Sequence, residues 1–257
     1  MITTGLVSIT FRALTPEAII PLVVRAGQQA IEWGGDIHVP HGDIARAQSV
    51  GEATRAAGLE LAAYGSYYRL GHSEAEGLHF ASVCATAQAL GCPAIRVWAG
   101  KRPLAEVDAV YRQEVTADAR RIAGLAADAG LDLVFEFHGR TLTESLTSAQ
   151  QLLNDVPDDN VYTLWQPRNG IEPEINRNEL KELLPRLYYA HVFHWWPTSK
   201  ERRPLAEGAV AWGPYLDLLR QAPRPMRAMM EYVRDHDPEN YLRDAATLEK
   251  WVRPPAR

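Results

Sequence analysis

The chain has 257 residues, 46% apolar and 23% charged, with a formal net charge of -5 at neutral pH. That balance supports a sizeable core without disulfides or metal staples, and it excludes the clustered basic surface a nucleic-acid phosphate backbone requires. Two cysteines, Cys84 and Cys92, are too few for a disulfide framework, and no apolar run approaches the length of a bilayer span. The first residues, Met1 to Gly5, lack a basic leader, so a reduced, cytoplasmic protein without membrane contact is expected.

The first expected strand runs from Gly5 to Phe11. Thr15-Pro16-Glu17 then supplies an N-cap with proline at the first helical position, and the helix reaches about Ala26. Ala30 to His38 reads as a strand with a polar, glycine-containing end, and Asp43 caps a helix to Gly58. Leu59 to Tyr64 is the third strand, opening into Gly65-Ser66-Tyr67-Tyr68. Ser73-Glu74-Ala75-Glu76 reads as a capping box for a helix that ends at Gly91. Ala94 to Trp98 is the fourth strand, and a long helical stretch runs from about Leu104 to Gly130.

Leu131 to Gly139 is the fifth strand. Its alternation places Leu131, Leu133, Phe135 and Phe137 on one face and Val134, Glu136 and His138 on the other. Thr143 to Val156 is helical, Val161 to Gln166 is the sixth strand, and a short helix surrounds Leu180. Leu187 to Val192 is the seventh strand, Trp212 to Gln221 a helix, Ala228 to Val233 the eighth strand, and Asp237-Pro238-Glu239 opens the last helix. Eight strands alternating with helices, with no linker between them, predict a single (β/α)8 TIM barrel over residues 1–257.

The polar and aromatic residues support a site at the C-terminal ends of those strands. His38, His41, His72, His138, His191, His194 and His236 fall at strand ends or in the following loops, and only His79 is expected inside a helix. Trp33, Trp98, Trp165, Trp195 and Trp196 follow the same rule. In a barrel these segments converge on the face that carries function.

Strand parity selects Glu136, Gln166, His191 and Glu231 as inward groups on four consecutive strands, which are spaced about 4.8 Å apart. Two carboxylates, an imidazole and an amide oxygen form a mostly hard ligand set, suited to Mn²⁺, Mg²⁺ or Co²⁺, with Zn²⁺ possible. Arg96, inward on the fourth strand, is the competing partner for Glu136, because a buried carboxylate is more often ion-paired than metal-bound.

Several stretches, in this order, resemble the xylose isomerase-like barrels, which include sugar and sugar-phosphate isomerases and epimerases. They are Ile31 to His38, Tyr64 to Tyr67, Ile95 to Gly100, Phe135 to His138, Leu164 to Pro167, Ala190 to Val192, Leu205 to Gly208 with Trp212, and Met230 to Tyr232. The resemblance implies one divalent metal ion on Glu136, Gln166, His191 and Glu231, with Gln166 standing where the family carries Asp. It implies Lewis-acid stabilisation of an enediolate, with Glu136 and Glu231 as the catalytic pair that removes and returns a proton next to a carbonyl.

His38, Tyr64, Trp98, His138 and Trp165 are the expected pocket walls for a small sugar or sugar-derived substrate, and barrel packing is an equal reading for Tyr64 and Trp98. Arg202 and Arg203 lie in the long loop before Trp212 and are candidates for a phosphate or carboxylate, against a solvated role for each. The rival functions are a metal-dependent lyase, either a dehydratase or a C-glycoside-cleaving enzyme, a non-catalytic sugar-binding protein, and the apurinic endonuclease branch of the same barrels. The last is disfavoured by the acidic charge. A homo-oligomer is compatible with the chain.

Overall fold

The structure, a computed structural model, describes residues 2–253. Its strands are β1 (Ile2–Val7), β2 (Ala30–Gly34), β3 (Glu60–Arg69), β4 (Ala94–Trp98), β5 (Asp132–Glu136), β6 (Val161–Trp165), β7 (Leu187–Val192) and β8 (Met226–Met230). The helices between and after them are α1 (Pro16–Arg25), α2 (Ile44–Ala56), α3 (Phe80–Leu90), α4 (Ala109–Asp128), α5 (Leu146–Asp155), α6 (Pro173–Leu183), α7 (Ala209–Arg220) and α8 (Pro238–Val252). The strands follow one another in sequence order around a closed parallel barrel. Short apolar strands, five or six residues long in all but the ten-residue β3, are what a parallel barrel selects, because both faces of each strand are covered. Among the described residues, no helix is long and apolar enough to cross a membrane.

Contacts within the chain cluster into two compact units. Among the described residues, the first comprises residues 2–32, 53–60 and 165–253. In it β1 pairs with β2 and β8, and β8 pairs with β7, so Gly5 lies opposite both Ala30 and Met229. A Cβ at Gly5 would stand 2.4 Å from the Ala30 carbonyl oxygen, which is why only glycine fits this register. Tyr241 of α8 is buried beneath, edge-on to Phe11 at 5.5 Å, and its hydroxyl meets Gln28 Oε1 at 2.7 Å. Burial holds that phenol well above its ordinary pKa.

The second unit comprises Trp33–Glu52 and Leu61–Leu164. There β4 pairs with β3 and β5, and β5 with β6, placing Phe135 between Val97 and Thr163. Cys84 and Cys92 are both buried and not joined in a disulfide, and burial raises the Cys84 thiol to a pKa of about 11.

Element boundaries differ from the sequence expectation at several places. The first strand stops at Val7, and Ser8–Phe11 is a 3-10 turn. The third strand continues through Gly65 to Arg69, with a register shift between Gly65 and Arg69 and Tyr67 at a φ of 57°. Helix α3 starts at Phe80 rather than at the Ser73-Glu74-Ala75-Glu76 box, and His79 is its N-cap rather than a helical residue. Glu74 still caps this helix, but from outside it, accepting the Phe80 N–H at 3.0 Å. The stretch from Leu104 divides into a 3-10 turn and α4, whose N-cap Asp108 accepts the Tyr111 N–H at 2.8 Å.

Candidate active site

Each predicted ligand lies at the C-terminal end of its strand. Glu136 closes β5, Gln166 follows β6, His191 is the penultimate residue of β7, and Glu231 follows β8. All four are buried, His191 completely. The residue after Glu231 is Tyr232 at a φ of 46°, a conformation that side chains rarely adopt. Its N–H donates to Thr10 Oγ1 at 2.9 Å, so a bond from another strand's loop holds the turn that aims Glu231.

In the first unit, His191 stands between two carboxylates. Its Nε2 lies 3.2 Å from Glu32 Oε2, and its Nδ1 lies 3.6 Å from Glu231 Oε2, too long for a hydrogen bond. The Nδ1 atom is buried and has no hydrogen-bond partner. Burial opposes a charged imidazolium here, but Glu231 and Glu32 outweigh it and hold the His191 pKa up at about 10. Glu32 is wholly buried and also accepts from the Tyr189 hydroxyl at 2.7 Å.

In the second unit, the competing partner expected for Glu136 is present. Arg96 Nη1 donates to Glu136 Oε2 in an ion pair with both side chains almost fully buried. Trp98 Nε1 donates to the same oxygen. The Trp98 ring stacks on His138 with centroids 4.5 Å apart, and Arg69 covers it at 4.8 Å. Thr143 Oγ1 donates to the Glu136 backbone carbonyl, fixing the strand end.

His191 and Glu231 of the first unit each offer an atom that a metal ion could take, and Glu136 offers a carboxylate at a strand end of the second. His191 Nδ1, buried without a hydrogen-bond partner and 3.6 Å from Glu231 Oε2, fits a divalent cation, which would take the place of the proton between them. Arg96 on Glu136 and the neutral Gln166 both reduce the negative charge available to it.

The expected pocket walls divide. Trp98 and His138 stand with Glu136, as described. Tyr64 is fully buried, donating to the Val39 carbonyl at 2.8 Å and meeting His41 Nδ1 at 2.7 Å, and burial raises its pKa while lowering that of His41. His38 is buried edge-on to Trp33 at 5.9 Å. Trp165, also fully buried, packs edge-on against Trp212 at 6.2 Å and Tyr215 at 5.1 Å, in the helix layer behind β6. Arg202 lies 4.7 Å over the Tyr232 ring and contacts His236 Nε2 at 2.7 Å, while Arg203 stands 3.7 Å from Glu207.

A cavity of about 390 Å³ opens beside the loops after β6 and β7, lined by Phe193, Trp195, Trp196, Trp212, Arg168 and Arg203 among others. The Arg168 guanidinium is anchored by Glu179, and the Phe193 and Trp195 rings are stacked at 3.7 Å.

Sequence reasoning missed Glu32 and Tyr189. A charged residue inside the five-residue apolar strand Ala30–Gly34 was the available signal, since such a group must find a buried partner.

No curated protein matches the sequence. Among solved structures, the chain is similar to the probable 3-DHS dehydratase AsbF of Bacillus anthracis, involved in petrobactin synthesis, at 19% identity and a TM-score of 0.82 over 97% of this chain and 99% of that one. It is similar to an L-ribulose 3-epimerase at 15% identity and a TM-score of 0.77, over 98% and 95% of the two chains. The IolI protein with a bound zinc atom is similar at 13% identity and a TM-score of 0.80, over 98% of each chain. At these identities the likeness is one of fold. A family model described as xylose isomerase-like TIM barrel matches residues 20–251, and the chain belongs to that family.

Proposed function

We propose that the protein is a divalent-metal-dependent isomerase or epimerase that moves a proton next to the carbonyl of a sugar or related polyol ketone. The observation that supports this reading is buried His191 beside Glu231, its Nδ1 3.6 Å from the carboxylate and without a hydrogen-bond partner. Two carboxylates, Glu136 and Glu231, are more than a binding module needs, but proton removal and return require them. The neighbours named as an epimerase and as a zinc-bearing protein lend the reading support through fold.

Glu136, His191 and Glu231, with Gln166 as a neutral fourth group, would hold the ion. When bound, it supplies Lewis-acid polarisation of a carbonyl oxygen. The chain's own residues do the rest. One of Glu136 and Glu231 takes the proton from the carbon beside the carbonyl, and the other returns it for epimerisation. For isomerisation one carboxylate serves both steps. Arg96 and Trp98 hold the Glu136 carboxylate in one orientation, and the Trp98 and His138 rings offer a flat surface for the C–H face of a sugar.

The test is incubation of the Mn²⁺-loaded protein with a panel of ketoses and aldoses in deuterated water. Deuterium entering the carbon next to the carbonyl supports proton transfer, and a dehydrated product would move the assignment to a lyase. Saturable sugar binding with no exchange at any position would refute an enzymatic role.

A further inference from the structure

Glu32 has no part in the proton transfer, yet it occupies one of the most enclosed positions in the first unit. A wholly buried carboxylate persists only if donors satisfy it, and two do so through the same oxygen, Oε2: the Tyr189 hydroxyl at 2.7 Å and His191 Nε2 at 3.2 Å. Tyr189 and His191 are two apart on β7, so they share a face, and their rings lie 5.5 Å apart at 33°. A carboxylate only accepts, so the His191 nitrogen facing it must carry a hydrogen. The other nitrogen, Nδ1, points toward Glu231 and has no hydrogen-bond partner.

We propose that Glu32 is a positioning residue that keeps the hydrogen of His191 on Nε2 and presents Nδ1 to a divalent cation, with Tyr189 holding Glu32 in place. The inference rests on the metal reading given above and assigns its support. Carboxylate–imidazole–metal arrangements of this kind fix the ring and make the imidazole a stronger donor. Tyr189 supplies the second bond that keeps Glu32 Oε2 in line with the ring.

The test compares wild type, Glu32→Gln and Tyr189→Phe by Zn²⁺ competition against a chromophoric chelator, and by nitrogen-15 spectra of the histidine side chains in the Zn²⁺-loaded protein. Wild type should show a slowly exchanging proton on His191 Nε2 with the metal on Nδ1. Glu32→Gln should weaken Zn²⁺ binding roughly 10- to 100-fold, and Tyr189→Phe should weaken it less while the fold is retained. A Glu32→Gln protein that melts earlier but binds Zn²⁺ within twofold of wild type overturns the inference, since that is the result of a merely structural pair. Metal on Nε2 in the wild-type spectrum also overturns it. A wild type that binds no Zn²⁺ overturns the metal reading itself, and is distinguished by its failure before any variant is made.

Discussion

Replacing Arg96 with methionine tests how Glu136 is held. The Arg96–Glu136 pair has both side chains at 3% exposure or less, so the substitution leaves a buried carboxylate with the Trp98 N–H but without its cation. Breaking one side of a buried pair costs about 3–5 kcal/mol, and the guanidinium's 5.1 Å contact with the Tyr67 ring is lost as well. For a chain of this length each kcal/mol moves the melting temperature by about 2–4 °C, so the metal-free variant should melt roughly 10 °C below wild type. A cation at the same place restores charge balance. At one hundred times its dissociation constant an ion adds about 2.7 kcal/mol, and with the competing guanidinium gone the variant should bind it more tightly than wild type does. Differential scanning fluorimetry with and without Mn²⁺ reads both effects. A metal-free Arg96→Met protein that melts with wild type, or one that gains less from Mn²⁺ than wild type, would refute the pairing and the shared-site reasoning respectively.

Four further outcomes are expected. Gln166→Asp restores a carboxylate to the ligand set and should tighten Mn²⁺ binding, read by calorimetry, because added negative charge strengthens a hard-ion site. Glu74, whose pKa is lowered to about 2 chiefly by the Phe80 N–H and also by His79 and Arg121, contributes stability above pH 4.5 that is lost as pH falls toward 2; Glu74→Gln should flatten that part of an acid-denaturation curve. His191 has the opposite sign. Its folded pKa is raised to about 10, so its contribution is complete below pH 6.5 and declines as pH rises toward 10, and the metal-free protein should lose thermal stability across that window. Gly100→Ala forces a side chain into a φ of 90° with its Cβ 2.4 Å from the Tyr111 hydroxyl, and should destabilise by more than about 1 kcal/mol in a urea titration.

The alternation of apolar strands and helices made the barrel legible, because Asp43 and Asp237 cap helices near where local sequence places them and Thr15 holds the N-cap position of α1, without a side-chain hydrogen bond. Parity selected Glu136, Gln166, His191 and Glu231 for the same local reason: a strand end fixes which side a residue faces. What escaped was set by distant partners. The Glu74 carboxylate reads as part of a local capping box, but Arg121 and the Tyr68 hydroxyl draw it into a cluster and it caps α3 from six residues upstream. The third strand's extension depends on a bulge around Tyr67 that no local pattern marks. Trp165 was expected in the pocket although it adjoins inward Gln166, and alternation turns it toward Trp212 and Tyr215. Glu32 escaped because its partners, Tyr189 and His191, are more than 150 residues away in sequence.

The measurement closest to the central claim is the divalent ion content of purified wild type and of Glu231→Gln after incubation with Mn²⁺, Mg²⁺, Co²⁺ or Zn²⁺. One ion per chain in wild type, lost in Glu231→Gln while the protein stays folded, is the predicted result. Wild type that retains no ion at millimolar concentrations would contradict it, leaving Glu136 as the ion-pair partner of Arg96 and His191 as the partner of Glu32 and Glu231.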